Sequence, residues 1–115
     1  MALDRSSGAD TYHVKLFAEF VEKLQATPDG DGSLLDHSLI LYGSGMGDGN
    51  LHRHDNLPIL MLGRLGGKIR TGQHIVYPEH TPMTNLLLTL LDAVGAPIDS
   101  LGDSTGLLSP DRISA

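Results

Sequence analysis

The residues best equipped for chemistry lie in one glycine-rich stretch, Gly43-Ser44-Gly45-Met46-Gly47-Asp48-Gly49-Asn50-Leu51-His52-Arg53-His54-Asp55-Asn56. In an extended segment, side chains two apart point to the same side, so His52 and His54 can chelate one ion. Neutral imidazoles suit zinc, copper, iron, nickel and manganese. Asp48 and Asp55 add harder oxygen ligands, or orient the imidazoles through their second ring nitrogens. His74 and His80 flank Tyr77-Pro78-Glu79, and either can complete a three-histidine set. The competing reading is a polar loop with surface histidines, and for His80 an exposed, inert imidazole beside a helix start.

Other constellations carry less. Ser44 stands where an apolar run gives way to a loop, a position for a nucleophile, but Gly43-Ser44-Gly45 is not the G-x-S-x-G elbow. The same glycines fail the G-x-G-x-x-G pattern, since position 48 is Asp, and the P-loop lysine is absent. Asp36-His37-Ser38 is no triad, because adjacent side chains diverge. His13 falls on a helix and reads as structural or surface. Asp29-Gly30-Asp31-Gly32 matches part of a calcium loop but lacks the third acidic ligand and the closing glutamate, so it reads as a turn.

The elements that must position these groups follow from periodicity. Residues 1–9 read as a disordered lead-in. Asp10 or Thr11 then caps a helix on which Val14, Phe17, Ala18, Val21 and Leu24 recur at helical spacing, ending near Ala26 before Pro28. Ser38 to Tyr42 and Leu57 to Gly63 read as buried strands, the second starting properly at Ile59 because Pro58 has no N–H to donate. Lys68 to Arg70 and His74 to Tyr77 read as short strands. Thr81 caps a leucine-rich helix with Pro82 at its first position, stopping at Gly95. Asp99 to Ala115 reads as an irregular tail. The predicted fold class is α/β, a small partial sheet flanked by two main helices, in one domain over residues 10–108 followed by a tail, 109–115. So few strands suggest pairing with another chain or a missing portion.

The 115 residues carry a formal net charge of −6, with eight Lys and Arg and no basic stripe, which argues against nucleic acid as a partner. With no cysteine, disulfides, zinc–thiolate sites and thiol nucleophiles are excluded. No run approaches the roughly 18–20 apolar residues of a membrane span, so no membrane partner is expected. Met1 to Asp10 lacks the layout of a signal peptide.

The blocks LLDHSLILYGSGMGDGNLHRHDNLPILMLG, GQHIVYPEHTPMTNLLLTLLDAVG and DSLGDSTGLL, in this order, resemble the C-terminal part of a family of uncharacterised bacterial exported proteins named for an HXXSHH motif. The likeness spans roughly residues 10–108. That family in turn resembles the alkaline phosphatase and sulfatase superfamily, α/β proteins with metal sites at strand ends. The resemblance implies that the strand from Leu39 to Tyr42 leads into a metal loop, with Asp48 as the acidic ligand and His52 and His54 as the imidazole ligands. It also implies export of a full-length protein. The HXXSHH motif itself is absent here, as is the N-terminal half that carries the superfamily's nucleophile. The chain thus reads as a C-terminal portion.

The function expected is a metal-dependent hydrolase acting on phosphate-type or related esters of small molecules. His52, His54 and Asp48 would hold a divalent ion, zinc or manganese first, with Asp48 or Asp55 as general base. Such an ion lowers the pKa of a coordinated water towards neutrality. A redox protein with copper or iron at the H-x-H pair is the first alternative. A non-catalytic, self-associating fragment or binding module is the second. Exposed sheet edges make a homo-oligomer, most simply a homodimer, an expectation of all three.

Overall fold

A computed structural model describes residues 5–47 and 50–108. Among the described residues the chain is a mixed α/β fold with two helices and two small antiparallel sheets. The first helix, α1, runs from Arg5 to Ala26. It begins well before Asp10, so residues 5–9 of the expected lead-in are helical. Nothing in Ser6-Ser7-Gly8 forbids this, since no proline intervenes and extending an existing nucleus costs little. The end is where Pro28 demands it, and Thr27 closes the last turn by donating its hydroxyl to the Lys23 carbonyl at 2.7 Å. Phe17, Val21 and Leu24 form the half-buried stripe of α1. Phe17 stacks on Tyr42 with centroids 4.2 Å apart, which ties the helix to the strand behind the candidate loop.

Pro28 to Ser33 is more ordered than a plain turn. Strands β1 (Pro28–Asp29) and β2 (Gly32–Ser33) pair antiparallel around Gly30 and Asp31, with Gly30 at φ 62°. The main pair is β3 (Ile40–Gly43) with β4 (Ile59–Leu62), in the register Ile40↔Leu62 to Gly43↔Ile59. Strand β4 starts at Ile59, directly after the proline, as expected. Both strands are half-buried rather than buried, and Leu60 is 54% exposed, because among the described residues no further layer covers the second face.

The expected strands at 68–70 and 74–77 do not form. Their place is taken by a 3-10 turn, Leu65–Gly67, and an irregular run to Pro82. Left-handed backbone at Leu65, Gly66, Gly67 and Gly72 bounds the first of these runs, in which Ile69 makes only an isolated bridge. Gly63, at φ 96°, lies so close to the Ser38 and Leu35 carbonyls that a Cβ there would strike backbone. That close approach lets the Leu65 N–H reach the Ser38 carbonyl at 3.0 Å and the Gly66 N–H reach that of Asp36 at 2.9 Å.

The second helix, α2, spans Met83–Ala93. Pro82 is the residue before the helix rather than its first, and Thr81 does not cap it: its hydroxyl donates back to the Pro78 carbonyl at 2.6 Å. The helix stops as expected at Gly95 (φ 83°), whose N–H and that of Ala96 close onto the Asp92 and Leu91 carbonyls. Among the described residues Ile69, Leu88 and Leu108 are the fully buried apolar side chains, with Leu39, Met61, Ile75, Tyr77, Leu86 and Leu90 packed around Ile69 and Leu108. Leu108 belongs to the expected tail, which is irregular yet part of the core. The buried Asn85 side chain donates to Thr105 Oγ1 (3.0 Å) and accepts the Thr105 N–H (2.8 Å), while Thr89 Oγ1 accepts the Leu108 N–H (2.8 Å). No helix among the described residues is long and apolar enough to cross a membrane.

Candidate functional site

The loop between β3 and β4 folds back on itself. The Gly47 N–H donates to the Arg53 carbonyl at 2.8 Å, and the Ser44 N–H reaches Pro58 O at 3.4 Å. A Cβ at Gly47 would collide with the Asp55 carbonyl and come within 2.8 Å of that of Asn56, so this crossing requires glycine. Ser44 shapes the same turn: its Oγ accepts the Met46 N–H at 3.1 Å.

His54 is the best-positioned candidate. Its Nδ1 donates to the Gly45 carbonyl at 2.9 Å. A carbonyl can only accept, so the proton sits on Nδ1 and the neutral ring carries its lone pair on Nε2. Metal-binding histidines are commonly oriented in this way. His52 lies in a turn with φ 55°. The extended geometry that would set His52 and His54 on one side is therefore not the geometry of this segment.

Asp55 is engaged by its neighbour: Arg53 Nε donates to Oδ1 at 3.1 Å and Nη2 to Oδ2 at 2.7 Å. The Arg53 hydrogen bonds hold the Asp55 carboxyl below the usual carboxylate range; burial opposes them, and the Arg53 charge adds a smaller lowering. His80 is exposed, sits at φ 65°, and lies 3.9 Å from Glu79. His74 is exposed beside Ile75. Asp48, expected to supply the acidic ligand, lies outside the described residues. Among the described residues no three His, Asp or Glu side chains converge as a ligand set. Neither His74 nor His80 therefore joins both loop histidines in one. Three of the four non-glycine residues with left-handed backbone, His52, Asn56 and His80, fall in these two segments.

A second cluster escaped the spacing arguments. His37 bridges the β1–β2 hairpin, with Nδ1 2.9 Å from Asp29 Oδ2 and Nε2 3.2 Å from Asp31 Oδ1. Neither sequence neighbour of His37 is its partner, so the rejection of a triad there stands. Asp36 instead pairs with Ser33: its carboxylate accepts the Ser33 N–H at 2.9 Å, and Ser33 Oγ accepts the Asp36 N–H at 3.2 Å. That backbone bond, then the Ser33 hydroxyl, holds the Asp36 carboxyl low. The Ser33-x-x-Asp36 spacing is the capping-box pattern and was readable as such.

No known protein family, curated protein or solved structure matches the chain.

Proposed function

We propose that this chain is a metal-dependent hydrolase acting on phosphate-type or related esters, with its centre in the loop between β3 and β4. The observation that carries this reading is the bond from His54 Nδ1 to the Gly45 carbonyl. It fixes the tautomer that turns the Nε2 lone pair away from the loop backbone, the donor a divalent ion needs. The donor types fit zinc or manganese: His54 would lead, and a turn of the loop would have to bring His52 and Asp48 to it. An ion there supplies Lewis acidity towards an ester oxygen and an activated water at neutral pH. Asp55, held ionised by Arg53, is a weak proton acceptor. Its part is to fix the Arg53 guanidinium, a planar cation that matches the anionic oxygens of a phosphate or sulfate ester. Asp48 then serves as ligand or general base.

The test is elemental analysis of the purified protein and of His52→Ala/His54→Ala, with hydrolysis of aryl phosphate and sulfate esters in added zinc or manganese. Stoichiometric metal and turnover in the wild type, both lost in the variant, support the reading. Metal retained in the variant overturns the site. Copper or iron with turnover that needs a reductant or peroxide makes the protein a redox enzyme instead.

One observation favours a non-catalytic, self-associating module as the second reading. Tyr12, Leu16 and Phe20 stand exposed at spacings of four along α1, and the β3–β4 pair is two-stranded.

A further inference from the structure

We propose that His37 is a pH-dependent clasp that draws the Gly30–Asp31 turn of the β1–β2 hairpin onto its ring while its imidazole is doubly protonated. The geometry sets a carboxylate against each ring nitrogen: Nδ1 in a hydrogen bond, Nε2 at ion-pair distance. Nδ1 faces Asp29 of β1 and Nε2 faces Asp31 of the turn, at 2.9 and 3.2 Å. A carboxylate at neutral pH only accepts, and a neutral imidazole has one N–H. Both contacts therefore exist together only in the imidazolium. Asp29 and Asp31 face the ring from the hairpin. Asp36, on the following turn, adds a third carboxylate nearby, and Arg64 opposes these from the segment before the 3-10 turn. The local charge favours the cation, and the hydrogen bond to Asp29 is the main influence raising the His37 pKa above its ordinary value, against a smaller cost of burial.

Loss of the proton removes one donor, and the contact surrendered is the one to Asp31. That carboxylate is 96% exposed and the more distant, whereas Asp29 is 47% exposed and closer. The Gly30–Asp31 turn forms one lip of an open cleft lined by Asp31, Asp36, His37, Arg64, Gly66 and Gly67. Deprotonation frees that lip. The sign follows from linkage: a raised pKa gives a contribution fully present below the unfolded value, about 6.5, and lost as pH rises through the folded one. The hairpin is closed in mild acid and loosens on the alkaline side. This device is independent of the metal loop.

The experiment is an NMR titration of the full chain from mild acid to mild alkali, following the His37 ring carbons and the amides of Gly30 to Ser33. The expected result is a His37 midpoint above that of an unshifted histidine, about 6.5, with the hairpin amides moving at the same midpoint. Asp29→Asn and Asp31→Asn each lower the midpoint, by about half a pH unit or more for Asp29→Asn. His37→Gln removes the pH response of the amides. A wild-type midpoint at or below the ordinary value, or hairpin amides indifferent to the His37 titration, overturns the proposal. Both readouts stand whether or not the protein hydrolyses anything.

Discussion

At the scale of the residue, the loop histidines differ in what fixes them. His54 is oriented by the Gly45 carbonyl, while His52 occupies a left-handed turn. His54→Ala should therefore weaken zinc binding the more, by about a hundredfold against about tenfold for His52→Ala, judged from the cost of losing supporting groups around metal sites. Calorimetric titration of each variant with zinc reads this directly, and equal losses would refute the assigned hierarchy. A second expectation concerns Asp55. Its lowered pKa gives a stability contribution present above the ordinary carboxylate pKa and lost as pH falls through the folded one. Arg53→Gln should thus lower the melting temperature at neutral pH, and the gap to wild type should close in acid. Part of this was legible beforehand: residue type pointed to His52, His54 and Asp55. The Arg53–Asp55 pairing was not read, although the two are nearest same-side neighbours in an extended run. His37 was discarded because its sequence neighbours cannot serve it. Its partners stand eight and six residues earlier, across a hairpin whose geometry spacing alone does not supply.

At the scale of the element, long or proline-marked segments were readable and short ones were not. Pro58 fixed the start of β4 and Pro28 the end of α1, each through a backbone restriction, while Gly95 ended α2 by taking a left-handed φ without a Cβ clash. The runs at 68–70 and 74–77 had the apolar pattern of strands, but Ile69 enters the core alone and Ile75 and Tyr77 pack around it from an irregular run. The tail looked featureless because its order comes from α2. Asn85 serves both the N–H and the hydroxyl of Thr105, so Asn85→Ala leaves a part-buried donor unpaired and should cost about 2 kcal/mol. Urea denaturation gives the number, and limited proteolysis should cut first within residues 101–108. Gly63→Ala meets both an unfavourable φ and two backbone carbonyls, and should cost roughly 2 kcal/mol or more. A variant as stable as wild type would show that the turn at 34–38 is not held where the Gly63 approach places it.

At the scale of the whole molecule, the described core is small and the outline long. The radius of gyration is 16.0 Å, against about 13 Å for a compact domain of this length. Much of the excess is α1, about 33 Å of helix, on which, over residues 8–26, Phe17, Val21 and Leu24 are the half-buried positions. Upstream of and between them, Tyr12, Leu16 and Phe20 are 60%, 44% and 49% exposed. Apolar side chains arrayed on one helical face in this way are normally covered. The economical cover is a second copy of α1, because a two-fold axis lets the same stripe serve both partners. Sedimentation velocity at micromolar concentrations should therefore find a dimer. Leu16→Lys/Phe20→Lys should convert it to a monomer while leaving the helical circular dichroism unchanged, since both side chains face solvent within one chain. A wild type that stays monomeric throughout removes the stripe as an interface. A dimer that survives the double substitution but yields to Leu60→Lys moves the contact to the open β3–β4 sheet, where Leu60 is equally exposed.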